Sequence, residues 1–157
     1  MKYTIKLLEA DVISKNNRCY PKEVIEKINE QLNSNTVNVY NNSNIYYDPA
    51  VENKANFDNI IGQTIKCSSR IKANTLFIDV NLIKPANANF INICCFGLSF
   101  PSNKAKKDYN GNITVGSDGS SHWEVAEAKV LYLFKNNTNP YYDDSNIVSQ
   151  NNKLEIE

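Results

Sequence analysis

A serine hydroxyl is inert near neutral pH until a base takes its proton and a third group holds that base in place. Ser99 is where that requirement bears on this chain. The run Cys94-Cys95-Phe96-Gly97-Leu98-Ser99-Phe100-Pro101 is apolar and presents a small nucleophile two residues after a glycine. The sequence has a single histidine, His122. Histidine is the usual base because its unperturbed pKa lies close to neutrality. Glu124 and Glu127 follow it on a stretch able to run beside Phe90 to Phe100. Ser99, His122 and Glu127 can therefore be drawn as nucleophile, base and orienting carboxylate. The plainer reading of His122, which we favour, is a surface residue at the end of a polar loop. A lysine could serve as base instead, but none sits in an apolar context that would lower its pKa.

Other chemistry finds less support. Cys94 and Cys95 are adjacent, and neighbouring residues of a strand point to opposite faces, so they neither pair easily nor share a metal. With Cys19 and Cys67 they read as four free thiols in a reducing compartment. No metal site and no cofactor is expected. Lys104, Lys106 and Lys107 form a modest basic cluster in a polar stretch, which reads as a solvated loop before it reads as an anion site.

Composition bounds the partners. The chain has 157 residues, 41% of them hydrophobic, with nine Tyr and six Phe, which is globular rather than disordered. A length of this size favours one domain, since two halves would each be marginal. Lysine and arginine balance aspartate and glutamate at a formal net charge of +0, so a nucleic-acid partner, which calls for a basic excess or stripe, is not expected. No run approaches the ~20 apolar residues of a membrane span, and the first residues lack the apolar core of a signal peptide.

The elements that must hold Ser99 follow from periodicity. Tyr3 to Val12 alternates as a strand. Pro21 opens a helix reaching about Leu32, with Glu23 in its first turn and Val24, Ile25, Ile28 and Leu32 on one apolar stripe, a lid for a sheet. Residues 33–59 carry turn chemistry at Asn41-Asn42-Ser43-Asn44 and Asp48-Pro49, with a short strand over Val37 to Tyr40. Tyr40, Tyr46 and Tyr47 there, with Tyr141 and Tyr142 after Pro140, are candidate anchors of a protein contact. Ile60 to Cys67 and Thr75 to Ile83 pair as an antiparallel hairpin across the polar turn Ser68 to Asn74. Phe90 to Phe100 is the Ser99 strand. Asn103 to Ser121 is a flap with Asn-Gly and Asp-Gly turns, and Trp123 to Phe134 is a long returning strand. The expected fold is mainly β (α+β): a small bent antiparallel sheet or barrel with one or two covering helices. It occupies residues 1–148 as one domain, followed by a polar tail, 149–157.

Several of these segments together resemble the prohead (capsid maturation) proteases of tailed bacteriophages, which share a fold with the herpesvirus assemblins. Asn16-Asn17-Arg18-Cys19-Tyr20-Pro21 is similar to the N-G-R-x-Y-P run that leads into that family's first helix. Ile61-Gly62 and the strand after it look like the central hairpin. Gly97-Leu98-Ser99-Phe100 resembles the nucleophile strand, with Ser99 at the catalytic serine. Val130-Leu131-Tyr132-Leu133-Phe134 and Asn139-Pro140-Tyr141 resemble the closing segment. The similarity covers most of residues 3–148.

The departure matters as much. The family's catalytic histidine precedes its serine, shortly before the Ile-Gly element, whereas residues 33–59 here contain no histidine. His122 falls where the herpesvirus branch keeps a second, orienting histidine, which would have no base to orient. The motif's glycine is replaced by Asn17, a residue that still tolerates a left-handed backbone. The resemblance thus implies a catalytically inactive protease-like structural protein of a bacteriophage virion. Its place would be on the capsid as a decoration or cement protein, with the major capsid protein as partner. The alternative it implies is an active prohead serine protease acting through Ser99. A β-barrel binding module outside any virus is the third expectation.

Overall fold

In Lys2–Glu9 (β1), Tyr3, Ile5 and Leu7 are buried and the residues between them are half-exposed, the period of two that a pleated strand imposes. A register shift between Lys6 and Leu8 then buries Leu8 as well. The computed structural model describes residues 1–41, 60–83, 89–101 and 122–151. The turn at Asp48-Pro49, the flap with its lysines, and Tyr46 and Tyr47 lie outside these residues.

Arg18–Cys19 (β2) is a two-residue strand just ahead of the helix. Asn17 before it takes φ 61, the left-handed conformation that asparagine accepts more readily than most residues. The helix α1 spans Lys22–Ser34 and buries Val24, Ile25, Ile28 and Leu32, the stripe read from the sequence. Pro21 stands one position ahead of it with extended backbone, and its carbonyl accepts from Val24 N (3.0 Å) and Ile25 N (3.1 Å).

The remaining strands are Asn38–Tyr40 (β3), Ile60–Thr64 (β4), Arg70–Lys72 (β5), Thr75–Leu82 (β6), Phe90–Pro101 (β7), Trp123–Asn136 (β8) and Ile147–Asn151 (β9). Two elements differ from expectation. The polar stretch 68–74 contains β5, which folds back on β6 with Lys72 opposite Thr75. Ala73 and Asn74 between them have φ 48 and 67, as a two-residue turn matched to strand twist requires. Residue 148, where the sequence places the end of the domain, lies inside β9, whose pairing with β1 continues to Asn151.

The fold is mainly β, with one helix among the described residues: a strongly curled, open sheet that forms a half-barrel. Its order is β2-β8-β3-β4-β6-β1-β9, with β7 on the other edge of β8 and β5 beside the first residues of β6. The expected hairpin of β4 and β6 is present and antiparallel, Gly62 facing Leu82. Ile5, Ile78, Val80 and Leu133 from the sheet meet Ile25, Ile28 and Leu32 of α1 in one core.

Side-chain amides stitch the curl where strands do not pair. Gln31 of α1 donates from Nε2 to Ala128 O (2.8 Å) and accepts from Val130 N (2.8 Å). It thereby fills the edge of β8 between the segments paired to β2 and β3. Asn146, fully buried, accepts from Ile91 N (3.0 Å) and donates to Ile91 O (2.6 Å) and Lys6 O (2.9 Å). One amide so joins β7 to β1. Buried backbone groups need partners, and here asparagine and glutamine supply them.

Candidate functional site

β7 and β8 form a long antiparallel ribbon. Gly97 lies opposite Ala128, and a Cβ built on it would stand 1.9 Å from the carbonyl oxygen of Glu127. Glycine is therefore needed for the close approach of the two strands, before any question of catalysis. A register shift between Leu98 and Ser99 pairs Leu98 with Glu127 but Ser99 with Val125. Cross-strand partners share a face and consecutive residues alternate. Ser99 therefore shares its face with buried Val125, and exposed Glu127 lies on the opposite face with Leu98. The register separates the proposed nucleophile from the proposed orienting carboxylate.

His122 is not the surface residue expected of it. It is buried immediately before β8. Its backbone stands three residues from Val125, the partner of Ser99, or about 10 Å along an extended chain. Ser99 itself is half-buried, and its Oγ accepts a hydrogen bond from Arg18 Nη1 at 2.8 Å. Topology explains that contact. β2 runs parallel to β8 with Arg18 beside Trp123, and Trp123 faces Pro101. Arg18 is thus two rows from Ser99 on the same face, within reach of its long side chain. The loop behind it is pinned by Trp123 N to Asn17 O (2.7 Å), Ser14 N to Arg18 O (2.9 Å) and Arg18 N to Ser14 Oγ (3.2 Å). Asn16 also bonds the Ser14 hydroxyl. Sequence reasoning treated the Asn-Asn-Arg run as a helix lead-in and did not join Arg18 to Ser99. Nothing local in sequence carries that pairing, since 81 residues separate the two.

The partner decides what Ser99 can do. A guanidinium stays protonated in proteins and only donates. It can stabilise negative charge on an oxygen beside it, but it cannot remove the hydroxyl proton. Nearby thiols are no better placed for chemistry. Burial pushes Cys95 up to about 12 and Cys19 up to about 11, each from 9.0. Burial also raises Cys94, against a hydrogen bond with Tyr132 that lowers it. Thiols held in this way stay protonated at neutral pH and are poor nucleophiles. All four cysteines are free.

On the other face of β8, Asp11, Val12, Ile13, Cys19, Pro21, Glu23 and Glu124 line a cavity of about 500 Å³. Ser99 points away from it, because Glu124 and Val125 are consecutive on the strand. Among the described residues, no group of three or more His, Cys, Asp or Glu side chains is placed to hold a metal.

Of the tyrosines proposed as contact anchors, Tyr40, Tyr141 and Tyr142 are used within the fold. Tyr40 is buried and packs edge-on against Tyr132, centroids 5.1 Å apart. The Tyr141 hydroxyl is buried without a hydrogen-bond partner among the described residues. Tyr142 donates to Glu9 Oε1 (2.7 Å), and Lys6 Nζ lies 4.2 Å from its ring centre. Asparagines are likewise drawn inward. Asn139 donates to Asn92 Oδ1 (2.9 Å) and accepts from the backbone N–H of Tyr141 (2.8 Å) and Tyr142 (3.0 Å). Among the described residues, one strand carries several exposed apolar side chains, Phe96, Leu98 and Phe100, at 63%, 54% and 54% exposure, whereas Ile83 and Val148 are exposed elsewhere.

Comparison with family models, curated proteins and solved structures returned no match. No helix among the described residues is long and apolar enough to cross a membrane.

Proposed function

We propose that this chain is a protease-like structural protein without protease activity, carried on the capsid of a bacteriophage virion as a decoration or cement protein. The similarity of Asn16–Pro21 and Gly97–Phe100 to prohead-protease segments supports the lineage. One observation supports the loss of catalysis: the Ser99 hydroxyl is hydrogen-bonded to Arg18, a permanent cation that cannot act as a base. The curled sheet and its single helix suit a rigid scaffold of this kind. The partner would be the major capsid protein, since a formal net charge of +0 favours contact with protein over nucleic acid.

A serine-directed fluorophosphonate tests the chemistry. The expected result is no stoichiometric labelling, with wild type and Ser99→Ala indistinguishable. Stoichiometric labelling that disappears in Ser99→Ala would replace this reading with an active maturation protease. Quantitative analysis of purified virions tests the location. Many copies per particle are expected, and absence from particles would leave a non-viral binding module as the better description.

A further inference from the structure

We propose that Arg18 and Ser99 together form a docking point for a carboxylate carried by a partner protein. This rests on the reading of the chain as a non-catalytic assembly protein and gives that reading a chemical contact.

Arg18 is exposed, and its guanidinium offers five N–H donors in a fixed plane, of which one is given to Ser99 Oγ. Because that oxygen accepts from Arg18, the Ser99 proton is directed elsewhere and can be donated. Two donor groups therefore stand side by side, with no carboxylate paired to them among the described residues. The chain's other arginine, Arg70, is arranged differently. Arg70 holds Asp79 at 3.1 Å, and Lys15 likewise holds Asp143. Arg18 is matched to a neutral hydroxyl, with no carboxylate among the described residues. A planar fork with unused donors fits a carboxylate in bidentate geometry.

The surroundings favour a carboxylate on a protein over a nucleic-acid phosphate. Trp123, 39% exposed, stands beside Arg18 in the same row, and Pro101 follows it across the ribbon. Tryptophan and arginine in one patch are the residues that anchor protein contacts. Glu124 and Glu127 lie on the same strand and weaken any extended positive field. A phosphate backbone is held by many cations, not one.

Titration of the full chain with N-acetyl-aspartate amide, with its neutral asparagine counterpart as control, tests the assignment. Binding is followed by the chemical shifts of the Arg18 guanidinium, the Ser99 amide and the Trp123 indole. The aspartate probe should bind saturably, about tenfold more tightly than the asparagine probe. Arg18→Ala should abolish that preference, and Arg18→Lys should keep part of it, since a point charge replaces a fork. Ser99→Ala should weaken binding less than Arg18→Ala. Equal binding of both probes, no saturable binding, or an unchanged affinity in Arg18→Ala would overturn the proposal. Inorganic phosphate binding more tightly than the aspartate probe would also overturn it, in favour of a nucleic-acid contact. Failure here with no fluorophosphonate labelling removes the docking point alone, whereas labelling of Ser99 removes the non-catalytic reading beneath it.

Discussion

The two halves of β7 have similar composition and opposite fates. Phe90, Ile91 and Asn92 are buried, whereas Phe96, Leu98 and Phe100 are exposed. Both halves pair antiparallel with β8, the register shifting between Cys94 and Cys95 and again between Leu98 and Ser99. The difference lies in what else reaches them. The first half is bridged to β1 through Asn146 and tied to the 138–139 turn through Asn92. The second half pairs only with residues 123–130 of β8, and its Ser99 hydroxyl receives Arg18. An apolar strand is therefore buried by its neighbours and not by its own composition. Ser99 sits in the half whose other face, Phe96, Leu98 and Phe100, stays exposed.

The sharpest way to break this contrast is to cut the bridge. Asn146→Ala leaves the N–H and C=O of Ile91 and the carbonyl of Lys6 without the partners they now have. Unsatisfied buried groups cost about 1–3 kcal/mol each before relaxation and water entry, so a net loss of about 3 kcal/mol is expected. For a domain of this size that lowers Tm by roughly 6–12 °C. Ser99→Ala, in the other half, should change stability by about 0.5 kcal/mol or less. Thermal melts of the two variants under one condition check the contrast; equal shifts would contradict it.

Two glycines give the next largest effect. A Cβ on Gly62 would meet Asn81 O at 2.1 Å, and one on Gly97 would meet Glu127 O at 1.9 Å. The clashes are alike, but Gly62 is a buried residue of β4 facing β6, whereas Gly97 is exposed in the β7–β8 ribbon. Gly62→Ala should cost about 2 kcal/mol in global stability, in the range of overpacked cores. Gly97→Ala should instead splay the ribbon, raising hydrogen exchange at residues 124–130 with a smaller change in Tm. The comparison separates a strain that the core must absorb from one that can be shed locally.

Much of the frame was legible in the sequence because it depends on local periodicity. The stripe Val24, Ile25, Ile28 and Leu32, the alternation of Thr75 to Leu82 and the left-handed tolerance of Asn17 all follow from residue type and spacing. The mainly β fold with a covering helix followed from their order. What escaped reading depends on long-range geometry. β5 is three residues long and polar, and it exists because Ala73 and Asn74 turn the chain back onto β6. The Arg18–Ser99 contact needs the parallel placement of β2 on β8. The separation of Ser99 from Glu127 is set by a single register shift, which no periodicity announces. His122 followed a polar loop and so read as exposed, yet it is buried. Asn92, Asn139 and Asn146 serve as buried links, a role that composition cannot distinguish from exposure.

The cysteines sharpen the contrast through pH. Cys95 lies at the junction of the two halves, and burial raises it to about 12 from 9.0. Cys19 in β2 is raised to about 11. A thiol with a raised folded pKa gives stability that is fully present below its unfolded value near pH 9. That stability is lost as pH climbs through 11 and 12, because the unfolded chain ionises first. Alkaline denaturation should accordingly begin above pH 9 and soften in Cys95→Ala. At pH 8, a disulfide reagent should modify exposed Cys67 first and Cys95 last, by about two orders of magnitude in rate. Simultaneous modification of both would show that the junction opens readily.

The smallest expected effect is the most direct statement about the second half. Replacing Phe96, Leu98 and Phe100 together by serine removes three large side chains, a change that would unfold the protein if they belonged to the core. Each is more than half exposed, so little transfer free energy is gained by folding them, and each change should cost about 0.5 kcal/mol or less. Tm should move by only a few degrees, and solubility should rise as the apolar patch disappears. Ile91→Ser on the same strand, fully buried, should by contrast abolish cooperative melting at 37 °C. If the triple variant melted as early as Ile91→Ser, the outer half of β7 would have to be part of the core. The division of this strand into a buried half and an exposed half would then fail.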